Sequence, residues 1–151
     1  MGQLLAVSAR FVIPVGITRA DRHPLAMANV KEGQGRDLDD CEAGSLRAVK
    51  LATGERLWET FKPTTGGERG APHATVFLTK NGDRYFLFSE TGDLIIARLS
   101  PEKYEEISRA HLLDPTNEAF GRSVVWSHPA YANKCIFVRN DKEIVCASLA
   151  K

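Results

Sequence analysis

The sequence predicts an all-β chain built from short antiparallel meanders, and three observations carry that prediction. The run from Ala48 to Trp58, A-V-K-L-A-T-G-E-R-L-W, is a period-2 stretch, a Thr-Gly turn and a second short run, which together read as a β-hairpin. Four further runs rich in Phe, Leu, Ile and Val lie between Ala74 and Leu112, at spacings of about ten residues with only tight turns between them. A segment also recurs. Gly44 to Leu51 aligns with Gly92 to Leu99 at an offset of 48 residues, and that copy aligns with Lys142 to Leu149 at an offset of 50, matching at the apolar positions and the final Leu.

The totals bound the possibilities. A chain of 151 residues is long enough for one domain with its own core. Hydrophobic residues make up 43% and charged residues 26%, so the chain is expected to fold. A net charge of +1, with the basic residues dispersed, offers no field for nucleic acid or an anionic membrane surface. No apolar run reaches the roughly 18 residues of a membrane span. Met1 to Ala20 lacks a basic leading region and is interrupted by Arg10, which makes a poor secretory signal, and Ala6 stands where a myristoylation site wants Ser or Thr.

Taken in order, Leu4 to Ile17 holds one or two strands, with Pro14 favouring an edge. Asp21 to Gly44 reads as a loop. Its acidic residues Asp37, Asp39, Asp40 and Glu42 do not make a calcium loop, because Cys41 interrupts the ligand spacing and no glycine follows. In the first hairpin Leu46, Ala48 and Lys50 point to one side and Arg47, Val49 and Leu51 to the other, while Gly54 supplies the positive φ of the turn and Trp58 buries its ring at the exit. Lys62 to Gly70 is a flexible connection, with no G-K-[ST] ending to cradle phosphate.

Ala74–Thr79, Arg84–Ser89, Asp93–Leu99 and Tyr104–Leu112 then form an up-and-down meander, with Asn81-Gly82 as its clearest hairpin signal. Leu113 to Ser123 is a polar connection. Trp126–Tyr131, Cys135–Arg139 and Glu143–Leu149 are three more strands, and an Asn140-Asp141 loop would set Cys135 opposite Cys146, within reach of a cross-strand disulfide.

Strand patterning inside a repeat of about 50 residues is the mark of β-propeller blades. The fold class is therefore a partial β-propeller of two to three four-stranded antiparallel blades over 44–151, preceded by an irregular segment, 1–43, with one or two strands. The hairpin pattern A-x-K-x-x-T-G-E-x-x-W resembles the tryptophan-docking repeat of the pyrroloquinoline-quinone (PQQ) type propellers, with Lys50 where that family usually has Asp. F-L-F-S-E-T-G-D-L-I-I-A-R-L and W-S-H-P-A-Y-A-N-K-C-I-F-V-R-N-D-K-E-I-V-C are similar to the last two blades of propeller proteins common in planctomycete-type bacteria. The resemblance covers about two-thirds of the chain and implies the C-terminal blades of a longer protein or a truncated reading frame. It also implies a periplasmic or cell-envelope parent, and a cytoplasmic location if these residues are the complete product.

Within that resemblance two functions stand. One is a non-catalytic protein-binding or scaffold module, like the outer-membrane barrel-assembly lipoprotein type, with protein partners at blade faces or strand edges and with self-association. The other is a piece of a quinoprotein dehydrogenase holding PQQ over calcium. An unrelated β-sandwich is a third, weaker reading.

No residue is assigned a catalytic, cofactor-binding or metal-binding role, and no cofactor is expected under the first reading. Asp114, Asn117 and Glu118 are read as turn-formers. His23, His73, His111 and His128 lack ligand spacing. Ser8, Ser45, Ser89, Ser123 and Ser127 sit in no G-x-S-x-G elbow. Glu105 and Glu106, adjacent on a strand, face opposite ways.

Overall fold

A computed structural model of the chain describes residues 4–8, 11–15, 44–50, 52–71 and 74–150. Every regular element among them is a β-strand, and every described pairing is antiparallel. Strands β1 (Leu4–Ser8) and β2 (Phe11–Val15) form a hairpin. β3 (Leu46–Lys50) pairs with β1, and β4 (Arg56–Thr60) pairs with β3, giving the order β2-β1-β3-β4. Pro14 falls in the edge strand β2, where a missing N–H interrupts no central ladder. Gly54 turns the β3–β4 connection at φ +73°. A bulge between Ala48 and Val49 sets Trp58 opposite Ala48, inside β4 rather than at the hairpin's exit.

The middle of the chain is the expected meander. β5 (Val76–Asn81), β6 (Arg84–Ser89), β7 (Asp93–Leu99) and β8 (Tyr104–His111) lie in the order β5-β6-β7-β8. Asn81 itself pairs with Arg84, so the two-residue loop is Gly82-Asp83, and Gly82, at φ +63°, takes the first loop position of a primed turn.

The connection read from Leu113 to Ser123 as a loop contains a hairpin instead. β9 (Asn117–Ala119) and β10 (Arg122–Val124) turn at Phe120-Gly121, and both turn residues are left-handed. Glycine in the second position lets this short polar stretch reverse tightly. The last sheet, β11 (Ala130–Ala132), β12 (Cys135–Arg139) and β13 (Ile144–Ser148), is three-stranded in that order.

Two other expectations change. The Asn140 side chain accepts the amides of Lys142 and Glu143, both at 2.8 Å, which opens the last turn to four residues. The register therefore slides by two. Cys135 faces Ser148, Cys146 faces Phe137, and both cysteines are free thiols, diagonal neighbours on one face. Lys62–Gly70 is anchored at its start, because Pro63 and Thr64 are buried and the amides of Thr64 and Thr65 both bond the Phe61 carbonyl. The acidic residues 37–42, Cys41, His23 and His73 lie outside the described residues.

The inner strands of the β5–β8 sheet, β6 and β7, are buried on both faces, while β8 is exposed. Tyr85, Leu87, Ile95, Ala97 and Leu99 meet Leu46 and Trp58 of the first sheet. Phe88 and Leu94, with Phe77 and Phe86, meet Val125, Ile136 and Val138 on the other side. Alternate side chains leave a strand in opposite directions, so only a two-sided core accommodates Y-F-L-F and L-I-I-A. The Trp58 indole joins the first sheet to the second by donating Nε1–H to the Ser100 carbonyl at 2.8 Å, in the β7–β8 turn.

The internal repeat has a structural counterpart. β3, β7 and β13, which carry its three copies, each stand third in their sheet. Gly44 and Gly92, aligned in the first two copies, have φ of +87° and +86°. A Cβ on Gly44 would collide with Ala74, and one on Gly92 with the Leu113 carbonyl, each in the segment that follows that hairpin or sheet. A Gly92→Ala substitution is therefore expected to cost about 2–4 kcal/mol in urea unfolding, since neither backbone can yield. Gly82→Ala, whose added Cβ would meet nothing, should cost about 1–2 kcal/mol from its left-handed φ alone.

Candidate functional site

The β6–β7 corner reads S-E-T-G-D and holds the one charged residue of Tyr85–Gly92. Gly92 closes the corner by donating to the Ser89 carbonyl. Glu90 is thereby turned into the protein and is 2% exposed. Its amide donates to the Thr75 carbonyl, and its carbonyl accepts from Val125. Its carboxylate accepts the Thr75 amide at 2.9 Å, Arg122 Nε at 2.8 Å and Nη2 at 3.3 Å, and the Trp126 indole at 3.0 Å. A buried carboxylate is tolerable only when it is paired and hydrogen-bonded to this degree.

This hub fixes an exposed aromatic pair. Trp126 is held by its N–H while 42% of the residue remains exposed. Its ring lies 6.2 Å from that of Phe120, tilted by 50°. Phe120 is 63% exposed at the β9–β10 tip and adopts φ +53°, a left-handed conformation unusual for a bulky residue. Beside it an open groove of about 200 Å³ runs to the β12–β13 turn, lined by Asn117, Trp126, Arg139, Asn140 and Asp141 among others. The pair presents exposed apolar area beside an ionic anchor.

A second cluster joins β7, β8 and the loop after them. A bulge beside Ile107 brings Glu106 and Arg109, three apart, to the face that carries Asp93. Arg109 donates to Asp93 at 2.9 Å, to Glu106 at 2.9 Å and to the Lys62 carbonyl at 2.9 Å. His111 lies between Asp93 at 2.8 Å and Asp114 at 3.0 Å. Its pKa is raised above 6.5, first by the hydrogen bond with Asp93 and then by that with Asp114. The Asp93 carboxyl is held below its ordinary value by His111, Arg109 and Thr91, against the opposing and largest effect of burial. Both imidazole nitrogens of His111 thus face carboxylate oxygens. Ser89 bonds Thr91, and Thr91 reaches Asp93 at 3.2 Å, on the carboxylate side of the chain rather than at the ring.

The residues weighed from sequence fall in separate places. Asp114 serves His111, the Asn117 side chain accepts the Glu118 amide, and Glu118 is exposed, so the three do not converge on one point. The His128 ring packs 4.0 Å from that of Phe77. Glu106 bonds Tyr104 and Arg109, while Glu105 is paired with Lys103 at 3.7 Å. Among the described residues no group of three His, Cys, Asp or Glu side chains is placed to hold a metal ion. Sequence reasoning missed Glu90, Arg122 and Trp126. The signal was a lone carboxylate closing an apolar strand. Compared with protein-family models, curated proteins and solved structures, the chain matches none.

Two outcomes follow. Glu90→Gln leaves the part-buried Arg122 guanidinium without its counter-charge and is expected to lower stability by about 2–3 kcal/mol in chemical denaturation. The His111 resonances should titrate with a midpoint above 6.5, and Asp93→Asn should bring that midpoint down. Because the folded pKa is the raised one, the stability from His111 is fully present below pH 6.5 and is lost as pH climbs through the folded value; thermal melts across that window check the sign.

Proposed function

We propose that this chain is a non-catalytic β-repeat scaffold, an arc of PQQ-like propeller blades that binds other proteins through sheet edges and faces. The observation that carries the reading is the Trp58 indole on the Ser100 carbonyl, a tie from the hairpin with the T-G-E-x-x-W pattern to the next sheet. The third-place position of each repeat copy and the sheet-on-sheet packing on both faces of β5–β8 support it. The exposed Phe120 and Trp126 suit protein contact, since aromatic side chains supply large rigid area at low entropic cost. By the same resemblance we assign the parent protein to the periplasm or cell envelope.

The runner-up reading is a piece of a quinoprotein dehydrogenase. PQQ-calcium chemistry needs several oxygen donors converging on one cation. Asp114, Asn117 and Glu118 do not converge, so no catalytic step is derived through that cofactor. The test adds PQQ and calcium to the purified chain and measures bound quinone absorbance and dye-linked alcohol oxidation. Neither is expected, and reproducible turnover overturns the scaffold reading.

A further inference from the structure

We propose that the outer edge of β13 pairs antiparallel with the same edge of a second copy of this chain, joining two three-stranded sheets across a two-fold axis at Cys146. The inference rests on the scaffold reading in one respect, that sheet edges are its binding parts.

Two hydrogen bonds fix which way each residue of β13 faces. Asn140 N–H bonds the Glu143 carbonyl and Leu149 N–H bonds the Lys134 carbonyl, so the odd-numbered residues from Glu143 to Leu149 direct their backbone groups toward β12. The amides and carbonyls of Ile144, Cys146 and Ser148 therefore point out along the edge. Among the described residues no strand pairs with that side of β13.

The edge also lacks the usual protection. The last strands of the two four-stranded sheets carry charge: Arg56 and Glu59 in β4, and Glu105, Glu106 and Arg109 in β8. β13 reads I-V-C-A-S, with no charge at all, and Ile144 is 74% exposed. Charged side chains are how natural sheets keep an edge from pairing, and an uncharged edge admits a strand.

The strand fits its own copy. With Cys146 opposite Cys146, Ile144 meets Ser148 and Val145 meets Ala147, so outward amides meet outward carbonyls at each of the three edge residues. A two-fold axis perpendicular to the sheet keeps Val145 and Ala147 of both copies on the face that packs on Ile136 and Val138. A charged partner strand would find no counter-charge in β13. An uncharged one needs none, and the strand available in equal amount is β13 itself.

Sedimentation velocity over a wide concentration range, with amide hydrogen exchange read by NMR on the same samples, tests this on the unmodified chain. The expected result is a species of doubled mass in which the amides of Ile144, Cys146 and Ser148 exchange roughly tenfold or more slowly than in the monomer. A chain that stays monomeric overturns the proposal. So does a dimer whose three edge amides still exchange freely, the outcome of contact through the outer face at Ala132 and Phe137. A monomer with those amides already protected also overturns it, since another segment of the same chain then covers the edge.

Cys146→Pro removes an outward N–H and no bond to β12, so it should keep a cooperative melt and lose the dimer. A folded C146P that still dimerises refutes the pairing; should C146P fail to fold, the exchange measurement decides alone. Failure here leaves the scaffold reading standing, because that reading falls only to quinone-dependent turnover.

Discussion

Burial of the central strands β6 and β7 on both faces is the constraint on which the rest of the structure depends. Leu87, Phe88 and Ile95 are fully enclosed, and they point in opposite directions from adjoining positions. Each such side chain contributes about 1.5–3 kcal/mol through removal from water. None can contribute unless a sheet lies on its side of the strand. The first sheet and the last are therefore held to the centre by the same physical demand. Each of them supplies one apolar face: Leu46 with Trp58 on one side, and Ile136 with Val138 on the other.

Apolar contact between sheets is nondirectional, and polar ties set the register of the stack. Trp58 fastens the β4 strand to the β7–β8 turn, and Glu90 fastens the β6–β7 corner to Thr75, Arg122, Val125 and Trp126. Asn140 does the same at the last turn, where its amide group donates to the Asp114 carbonyl at 2.9 Å. These bonds reach across 42, 32 and 26 residues. All three tie a loop or side chain to a turn at the end of a meander, so the strand ends are held while the strand middles are packed.

The same economy shapes the functional reading. Of the polar groups that look most like chemistry, the Glu90–Arg122 pair turns its carboxylate inward as a staple, while the Asp93–His111–Asp114 chain bonds within itself at the exposed end of β8. Two exposed surfaces are of another kind: the Phe120 and Trp126 rings beside the β9–β10 hairpin, and an uncharged strand edge. Surfaces of that sort recognise proteins through area and backbone pairing.

Strand identity was legible in the sequence because period-2 patterning and turn residues act locally. β6 and β7 begin and end where the pattern of Phe, Leu, Ile and Val does, Pro14 marks an edge, and the repeat at Gly44 and Gly92 marks equivalent corners. Turn details were less legible: Asn140 captured two amides and moved the register by two, and Phe120-Gly121 folded a polar loop into a hairpin. The Glu90 hub was not legible, since its partners come from segments 15 to 36 residues away and only the stacking of sheets brings them together. Local sequence thus determined where the long central strands run and that a glycine corner lies between them. The tertiary structure alone decided which buried charge meets which, because that depends on how two apolar faces of one sheet are covered.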